Sequence, residues 1–236
     1  MTTYSELRGN AVVWPGVMHK SLLVKFQFQA GVYLADMAKR GNWQKVLHEL
    51  DPDNHLVDVK QWRPGGKSWL TVLHQAAWNG APLDVVSLLI DRGALRSQPD
   101  AQGRTAYDIA AQHDQSADLL ELLTPPPAPL DRARVDALNA NLAATIDDLI
   151  QQLFRGEDLR KLFRYPPVEV LHEVPGQELW LPVPYLWGGF RVSLQPNHLE
   201  LLGGYREQSP SGDVHVATAG YVITDDGSAQ VYEGYE

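Results

Sequence analysis

The stretch from Thr71 to Ala94 constrains the fold more than any other part of the sequence. It begins TVLHQAAWNG, and the apolar run LDVVSLLIDRGA follows after two residues. Apolar residues recur at helical spacing in both halves, and Gly80 and Gly93 mark two helix ends. Helices this short cannot bury their own apolar faces. The stretch therefore predicts a helix–turn–helix unit that needs a similar unit on each side.

The same pattern occurs before and after this stretch. Residues 34–50, LADMAKRGNWQKVLHEL, repeat it at an offset of 39 residues, and residues 105–123, TAYDIAAQHDQSADLLELL, repeat it at an offset of 34. The last copy has Asp108 in the position of His74 and Asp114 in the position of the turn glycine. Terminal units are often atypical because they cap the core of a stack. The sequence predicts about three units.

The residues TxLHxAAxxG, followed by VVxLL, resemble the ankyrin repeat, which implies a binding scaffold. The resemblance also implies that His74 is structural and bonds the backbone between neighbouring turns. Two longer segments, QWRPGGKSWLTVLHQAAWNGAP at 61–82 and VPYLWGGF at 183–190, are similar to segments of bacterial ankyrin-repeat proteins, over about residues 31–236. This resemblance implies an α+β fold, with a short ankyrin-repeat helical stack, a long helix and a small antiparallel β domain.

Changes in composition along the chain predict four segments. The proline-rich segment TPPPAPL cannot continue a helix and marks the clearest boundary. After it, Asp131 is expected to cap a long helix with apolar residues spaced by three and four. We expect an N-terminal arm at 1–30, ankyrin repeats at 31–124, a linker and helix at 125–165, and an acidic antiparallel β domain at 166–236.

Alternating apolar and polar residues predict strands in two parts of the chain. In the arm, LLVKFQFQ at 22–29 predicts a half-buried strand. Residues 168–236 contain short segments, the first of which reads VEVLHEV, separated by turn signals; they predict six or seven antiparallel strands. Pro182 and Pro184 place the strand ELWLPVP at an edge of the sheet. Asp225-Asp226-Gly227 predicts a hairpin turn.

Composition excludes several classes of protein. The chain has no cysteine, which excludes disulfides, thiolate metal sites and thiol nucleophiles. Its 236 residues, 44% apolar and 21% charged, are typical of an ordinary folded protein with room for two domains. The first ten residues, MTTYSELRGN, do not resemble a secretion signal, and no window approaches the roughly 20 apolar residues of a membrane span. We expect a cytoplasmic protein.

The net charge of −9 is unevenly distributed. Residues 166–236 contain two basic and ten acidic side chains, so this segment carries a charge of −8. Such a surface repels nucleic-acid phosphate and attracts a basic protein. The alternative is that the acidic residues only keep a β-rich domain soluble. We expect a protein partner, and neither nucleic acid nor a membrane.

Motifs for catalysis and cofactor binding are incomplete in this sequence. Residues 65–68, GGKS, match the tail of a phosphate loop, but Gln61 stands where its first glycine is needed. His48 and Glu49 lack the second histidine of a helical zinc site, because position 52 is Pro52. A serine nucleophile elbow, G-x-S-x-G, does not occur. We therefore expect no catalytic residues, no cofactor, no metal and no enzymatic activity.

Tryptophan and arginine are enriched at binding hot spots, and they suggest the partner-binding surface. We predict that partner binding involves seven such residues: Trp62, Arg63, Trp69, Trp78, Arg96, Arg104 and Trp187. The alternative for the tryptophans of the repeats is packing against residues 1–30. Near Trp187, the pair Gly188-Gly189 lies among large aromatic residues and indicates a bulge or a close backbone approach. The segment forms either a pocket or a strand bend packed by its own aromatic side chains.

Three hypotheses for function follow. Small bacterial ankyrin-repeat proteins recur as immunity proteins, which neutralise a toxin. The first hypothesis is therefore a non-catalytic protein-binding protein that blocks a basic toxin by occlusion, using the repeats and the acidic domain. The second treats the β domain as an enzyme or small-molecule module, with His172, His198 and His215 meeting near Trp187. The third is an adaptor joining two partners.

Overall fold

The structure is a computed structural model that describes residues 8–208 and 214–235. The protein is α+β, with paired helices followed by a sheet that carries a long helix. Its internal contacts divide the chain into two units. The repeat unit comprises residues 17–128, and the sheet unit comprises the described part of residues 1–16 and 129–236.

Paired helices make up the repeat unit. The pairs are α1 (Lys25–Lys39) with α2 (Trp43–Glu49), α3 (Val72–Asn79) with α4 (Leu83–Asp91), and α5 (Ala106–Gln112) with α6 (Ala117–Leu123). Helix α3 packs between α1 and α5, so the first helices of the pairs form one row. One core connects all three pairs through residues such as Leu34, Leu73 and Ile109. The stack expected from the sequence is confirmed.

The first helices of the second and third pairs begin at equivalent caps. The Thr71 hydroxyl accepts a hydrogen bond from the His74 N–H, and the Thr71 N–H donates to Nδ1 of His74. Thr105 and Asp108 make the same reciprocal pair at the start of α5. Asp108 therefore replaces the histidine without loss of the capping box, because a carboxylate oxygen accepts the same backbone N–H.

The turns between paired helices confirm the alignment of the three copies. Gly41, Gly80 and Asp114 occupy equivalent positions and have φ angles of 67°, 59° and 51°. This left-handed region is open to glycine and is tolerated by aspartate better than by most residues. The substitution of Asp114 for the glycine therefore preserves the turn.

The strand predicted at residues 22–29 is wrong. Helix α1 begins at Lys25, and residues 25–29 form its first turns. Val24 and Phe26 are 53% and 54% exposed, so the alternation does not record a buried sheet face. The first buried residue of α1 is Gly31, and residues 25–30 of this helix are partly or fully exposed. Short apolar alternations do not distinguish a strand from a helix end.

The sheet unit contains helices α7 (Arg132–Ile150), α8 (Leu159–Leu162) and α9 (Val168–Leu171), and a 3₁₀ turn at Pro175–Gln177. Its strands are β1 (Val12–Val13), β2 (Glu178–Val183), β3 (Gly188–Leu194), β4 (Leu199–Gln208), β5 (Val214–Thr224) and β6 (Gly227–Tyr235). They form one sheet in sequence order, in which β1 is parallel to β2 and every other pair is antiparallel.

Helix α7 packs on one face of the sheet. Asp131 caps it, as expected, by accepting a hydrogen bond from the Arg134 N–H at 3.0 Å. The predicted apolar stripe is buried from Val135 to Ile146, but Leu153 lies beyond the end of the helix and is 44% exposed. The helix contacts β4, β5 and β6. Alternate residues of a strand share a face. On the face of Phe190, the side chains of Leu201 and Ile223 are also buried. This face and α7 form the core of the unit.

The N-terminal arm is divided between the two units. Within the sheet unit, Val12 and Val13 pair with Leu179 and Trp180. The buried ring of Trp14 donates from Nε1 to the Arg164 carbonyl at 2.8 Å. The rest of the arm enters the repeat unit. A strand therefore occurs in the arm, but earlier in the sequence than residues 22–29.

Two further strand predictions need correction. The segment VEVLHEV contains the short helix α9, since Pro167 precedes it and Asn139 of α7 accepts a hydrogen bond from the Val168 N–H at 2.9 Å. The segments DVHVATAG and YVITDDG form a single strand, β5, with a register shift between Gly220 and Tyr221. The hairpin turn at Asp225 and Asp226 is confirmed.

The prediction that the strand with Pro182 lies at the edge of the sheet is wrong, because β1 precedes β2 in the strand order. Strand β1 pairs with β2 only at Leu179 and Trp180. At Pro182 the strand therefore has β3 as its paired neighbour among the described residues. A proline without an N–H is compatible with that unpaired side. In the described residues, no helix is both long and apolar enough to cross a membrane.

Candidate partner-binding groove

A groove of about 360 Å³ opens on the repeat unit between α1, α3 and the loop of residues 63–70, called the Trp69 loop below. It is lined by Ala35, Asp36 and Lys39 of α1, by Arg63, Gly66, Lys67, Ser68, Trp69 and Leu70 of the loop, and by Gln75 of α3. Of the seven predicted partner-binding residues, Arg63 and Trp69 therefore line this groove.

Trp69 has a left-handed backbone, with φ of 53°. Thirty-four residues later the equivalent position is Gly103, with φ of 76°. The two loops are adjacent, because the Ala101 N–H donates to the Ser68 carbonyl at 3.1 Å. The left-handed region costs a non-glycine residue on the order of 1–2 kcal/mol, and such strain is concentrated at functional sites. A glycine would suit this backbone better than the tryptophan that is present.

Trp62 supports this loop from the interior. Its side chain is only 2% exposed, and its Nε1 donates to the Pro99 carbonyl at 3.2 Å. The centroid of its ring lies 6.0 Å from that of Trp69 at an interplanar angle of 50°. The prediction that Trp62 contacts a partner is therefore wrong, because its surface is already covered. The ring positions Trp69 instead.

The arm contacts the base of the Trp69 loop at Gly65, a contact that does not involve the tryptophans for which packing against residues 1–30 was the alternative. The Gly65 N–H donates to the Met18 carbonyl at 3.2 Å. A Cβ added at Gly31 of α1 would lie 2.8 Å from the ring of Pro64. The arm thus holds the loop from one side, and the groove remains open on the other.

The groove carries more positive than negative charge. Arg63 forms an ion pair with Asp36, and both side chains are more than a third exposed. Lys39 and Lys67 are exposed and have no ion-pair partner among the described residues. Three cations therefore line the groove against one carboxylate, which Arg63 already neutralises. The arrangement attracts an anionic group.

His74 connects the second and third helix pairs. It is 1% exposed, and its Nδ1 accepts from the Thr71 N–H, which leaves Nε2 to donate to the Arg104 carbonyl at 3.3 Å. Burial lowers the pKa of this imidazole from 6.5 to about 4. The neutral ring satisfies both of its nitrogens, so the expected structural role is confirmed.

The comparison with known families falls on this central part. Residues 69–101 match the ankyrin repeat. The match begins at Trp69 and covers α3, α4 and the following loop. No curated protein matches the chain. The matched residues include three that line the groove, Trp69, Leu70 and Gln75.

Arg104 holds the loop that follows the ankyrin repeat and does not line the groove. Its Nε and Nη2 donate to Oδ2 of Asp100 at 2.9 and 2.7 Å, and its Nη1 donates to Gln112. Burial raises the pKa of Asp100, but the hydrogen bonds from Arg104 and Gln102 outweigh it and leave this pKa below its usual value. Arg96 lies half-buried outside the groove.

Trp78 lies at the surface of the ankyrin repeat, as expected. Its side chain is 46% exposed, and its ring centroid lies 4.0 Å from that of His113 at the end of α5. Its carbonyl accepts from Nε2 of Gln115. The residue is exposed but is not part of the groove lining.

Trp187 belongs to the sheet unit and lies in the β2–β3 hairpin. Its side chain is 77% exposed and that of Tyr185 is 68% exposed, and both have left-handed backbones. The neighbouring glycines approach other strands, as expected. A Cβ at Gly188 would overlap the Gly204 carbonyl, and one at Gly189 would overlap the Leu181 carbonyl.

A pocket of about 190 Å³ lies near this hairpin, between α7 and the sheet. Its lining is mostly apolar: Leu149, Gln152, Leu153, Leu186, Phe190, Gly203, Tyr205 and Ala219. The volume suits one large side chain or a small ligand. Leu186 and Phe190 of the segment at 183–190 line this pocket, whereas Trp187, Gly188 and Gly189 do not.

The three histidines do not converge around this pocket. His198 lies in the turn before β4, and His215 pairs with Glu207 near the other end of β4. His198 and Glu207 are nine residues apart along extended chain, or about 30 Å. The hypothesis that all three histidines meet is wrong, since β4 is a continuous strand between two of them. His172 lies at the end of α9. Within the described residues, no cluster of metal-binding side chains occurs.

Sequence reasoning missed eight of the ten groove residues, and four of the eight have charged or amide side chains: Asp36, Lys39, Lys67 and Gln75. Lysine and glutamine are common on solvated helix faces, and neither residue type indicates a site by itself. The sequence signal for the Trp69 loop is the spacing of 34 residues, which places Trp69 at the loop position that Gly103 occupies in the next copy.

Proposed function

We propose that this chain is a non-catalytic protein-binding protein whose repeat unit holds its partner in the groove beside Trp69. The observation that carries the proposal is the left-handed Trp69, which lies on the buried ring of Trp62 at the edge of an open groove. The ankyrin repeat at residues 69–101 supports protein binding as the general activity.

Trp69 has the properties of a binding anchor. A rigid aromatic side chain loses little conformational entropy when a partner covers it. Contact with Trp62 fixes the orientation of the Trp69 ring before a partner binds. A glycine at position 69 would relieve the strained backbone, so the stability of the loop alone does not explain a tryptophan there. A partner surface that covers Trp69 and Arg63 would use both residue types that dominate binding hot spots.

A sharper form of the proposal is an immunity protein that neutralises a toxin by occlusion. Its support is the charge of −8 on residues 166–236 together with the resemblance to small bacterial ankyrin-repeat proteins. Glu200, Asp225 and Asp226 are exposed in this segment. The register between Leu199 and Ile223 places these carboxylates at one end of the sheet. Such a surface would attract a basic partner.

The test is affinity capture of the tagged chain from cells that produce it, with identification of retained proteins by mass spectrometry. The proposal predicts one protein retained in stoichiometric amount by the wild type and lost with Trp69→Gly. For the immunity form, the captured protein should arrest growth when expressed alone, and co-expression of this chain should restore growth. A captured protein that is harmless alone contradicts the immunity form but not protein binding.

A two-partner adaptor is the second candidate, and the pocket of the sheet unit favours it. The pocket and the exposed rings of Tyr185 and Trp187 offer an apolar surface without any contribution from the repeat unit. The adaptor predicts two captured proteins, one lost with Trp69→Gly and the other with Trp187→Ala. Loss of every captured protein with Trp69→Gly alone would contradict it.

A further inference from the structure

We infer that the groove of the repeat unit binds an acidic peptide segment, in which a carboxylate side chain is flanked by an apolar residue. This inference rests on the proposed function, because it names the chemistry of the partner at the same site. It goes further by predicting that the part of the partner held in the groove is negatively charged, in contrast to a basic partner face that the sheet unit would attract.

The charges that line the groove support this ligand class. Asp36 is the carboxylate of the lining, and Arg63 is its ion-pair partner. Lys39 at the end of α1 and Lys67 in the Trp69 loop are exposed and have no ion-pair partner in the part of the chain that the structure describes. A ligand carboxylate between these two ammonium groups would form ion pairs with them, whereas a basic side chain of the ligand would be repelled.

The uncharged residues of the lining indicate which groups of the peptide lie next to its carboxylate. Ala35, Leu70 and Trp69 provide apolar surface, while Gln75 provides an amide that can donate or accept. A groove of about 360 Å³ is at the lower end of the range for ligand sites, so it suits a few residues of a peptide. An apolar or aromatic residue next to the carboxylate would pack on Trp69.

The experiment selects ligands from a library of random peptides displayed on phage, with the full chain immobilised. The tightest peptide is then synthesised with an amide twin, in which every Asp and Glu is replaced by Asn or Gln. Binding of both peptides is measured to the wild type, to Trp69→Gly, and to the double variant Lys39→Gln/Lys67→Gln. Lys45→Gln is the matched control, because Lys45 is exposed on α2 in the same unit and does not line the groove.

The inference predicts selected peptides with net negative charge and an amide twin that binds at least tenfold more weakly. The double variant should lose about tenfold or more in affinity, Lys45→Gln should bind as the wild type does, and affinity should fall as salt is added. Neutral or basic selected peptides, an equally tight twin, or a library without enrichment would each overturn it.

The variants separate failure of the ligand class from failure of the proposed function. If Trp69→Gly abolishes binding while the amide twin binds as tightly as the acidic peptide, the groove is the site and the acidic class is wrong. If the peptides bind Trp69→Gly as tightly as the wild type, they bind elsewhere, and the groove itself is contradicted as a binding site.

Discussion

His74 of the ankyrin repeat donates a hydrogen bond from Nε2 to the backbone carbonyl of Arg104, the residue before the cap of the next helix pair. The other ring nitrogen accepts from the N–H of Thr71, at the cap of its own helix. One neutral imidazole therefore joins the starts of two successive helix pairs. Protonation of Nδ1 would bring its N–H against the N–H of Thr71, so this link depends on pH.

The repeat unit should lose stability in mild acid. Burial lowers the pKa of His74 from 6.5 to about 4, so below about pH 6.5 the unfolded chain binds a proton that the folded chain does not. Stability from this residue is complete above about pH 6.5 and declines as the pH falls toward 4, by roughly 1.4 kcal/mol per pH unit. Urea unfolding followed by circular dichroism across this range measures the effect. His74→Gln should be less stable at neutral pH and should show a shallower pH dependence; an unchanged dependence contradicts the assignment.

Trp62 and Trp78 should respond differently to truncation. Trp62→Ala removes a buried ring that supports the Trp69 loop, and the free energy of unfolding should fall by about 3–5 kcal/mol. Trp78→Ala removes a half-exposed ring that contacts the tilted ring of His113, and should cost about 1 kcal/mol. Urea unfolding of both variants decides the point. Equal losses would mean that burial does not distinguish the two rings.

Asp100, in the loop that follows α4, should be sensitive to truncation. It is 3% exposed and accepts hydrogen bonds from the Arg104 side chain and from the N–H groups of Arg104 and Gln102. Asp100→Ala would leave these donors without an acceptor and should cost about 2–4 kcal/mol of stability. Asp91→Ala, at an exposed position of the same unit, is the control and should change stability by about 0.5 kcal/mol or less.

The same carboxylate predicts a second loss of stability in strong acid. The pKa of Asp100 lies below its usual value of 3.8, so its contribution is present above about pH 4 and is lost as the pH falls below that. This step lies below the one expected for His74. In Asp100→Ala the lower step should disappear and the upper one should remain. Persistence of the lower step would assign it to other carboxylates.

Gly188 should tolerate no side chain. A Cβ there would overlap the Gly204 carbonyl of the adjacent strand, and the pairing of β3 with β4 leaves no room for adjustment. Gly188→Ala should therefore disrupt the sheet unit. Gly203→Ala is the matched control, because its Cβ would meet the Phe190 side chain at 3.1 Å and the Ala219 carbonyl at 3.6 Å, without overlapping backbone. Circular dichroism and solubility of the two variants provide the measurement, and a stable Gly188→Ala protein would contradict the close approach.

Local patterns predicted the repeat unit well because each pair carries its own signals. The caps at Thr71 and Thr105 and the left-handed turns at Gly80 and Asp114 depend on residues close in sequence. The start of α1 was mispredicted because Val24 and Phe26 alternate like strand residues but remain exposed. The face that such a segment buries depends on contacts distant in sequence, which periodicity does not contain.

The candidate site was predicted only in part for the same reason. The sequence indicated Trp69 and Arg63, but the burial of Trp62 follows from its contact with the Pro99 carbonyl, 37 residues away. Lys39 and Lys67 meet at one groove because α1 and the Trp69 loop are adjacent in the fold. The sequence therefore assigned seven tryptophan and arginine residues to partner binding, of which two line the groove.

The dissociation constant of the captured partner tests the groove most directly. It is compared for the wild type, for Trp69→Gly, and for Ala35→Trp, which fills the groove from α1; Gln44→Trp on the exposed face of α2 is the control. Trp69→Gly should fold with near wild-type stability, because glycine relieves the left-handed backbone. Both groove variants should bind at least tenfold more weakly, and Gln44→Trp should bind normally. Unchanged affinity in Trp69→Gly and Ala35→Trp would contradict the groove as the partner-binding site.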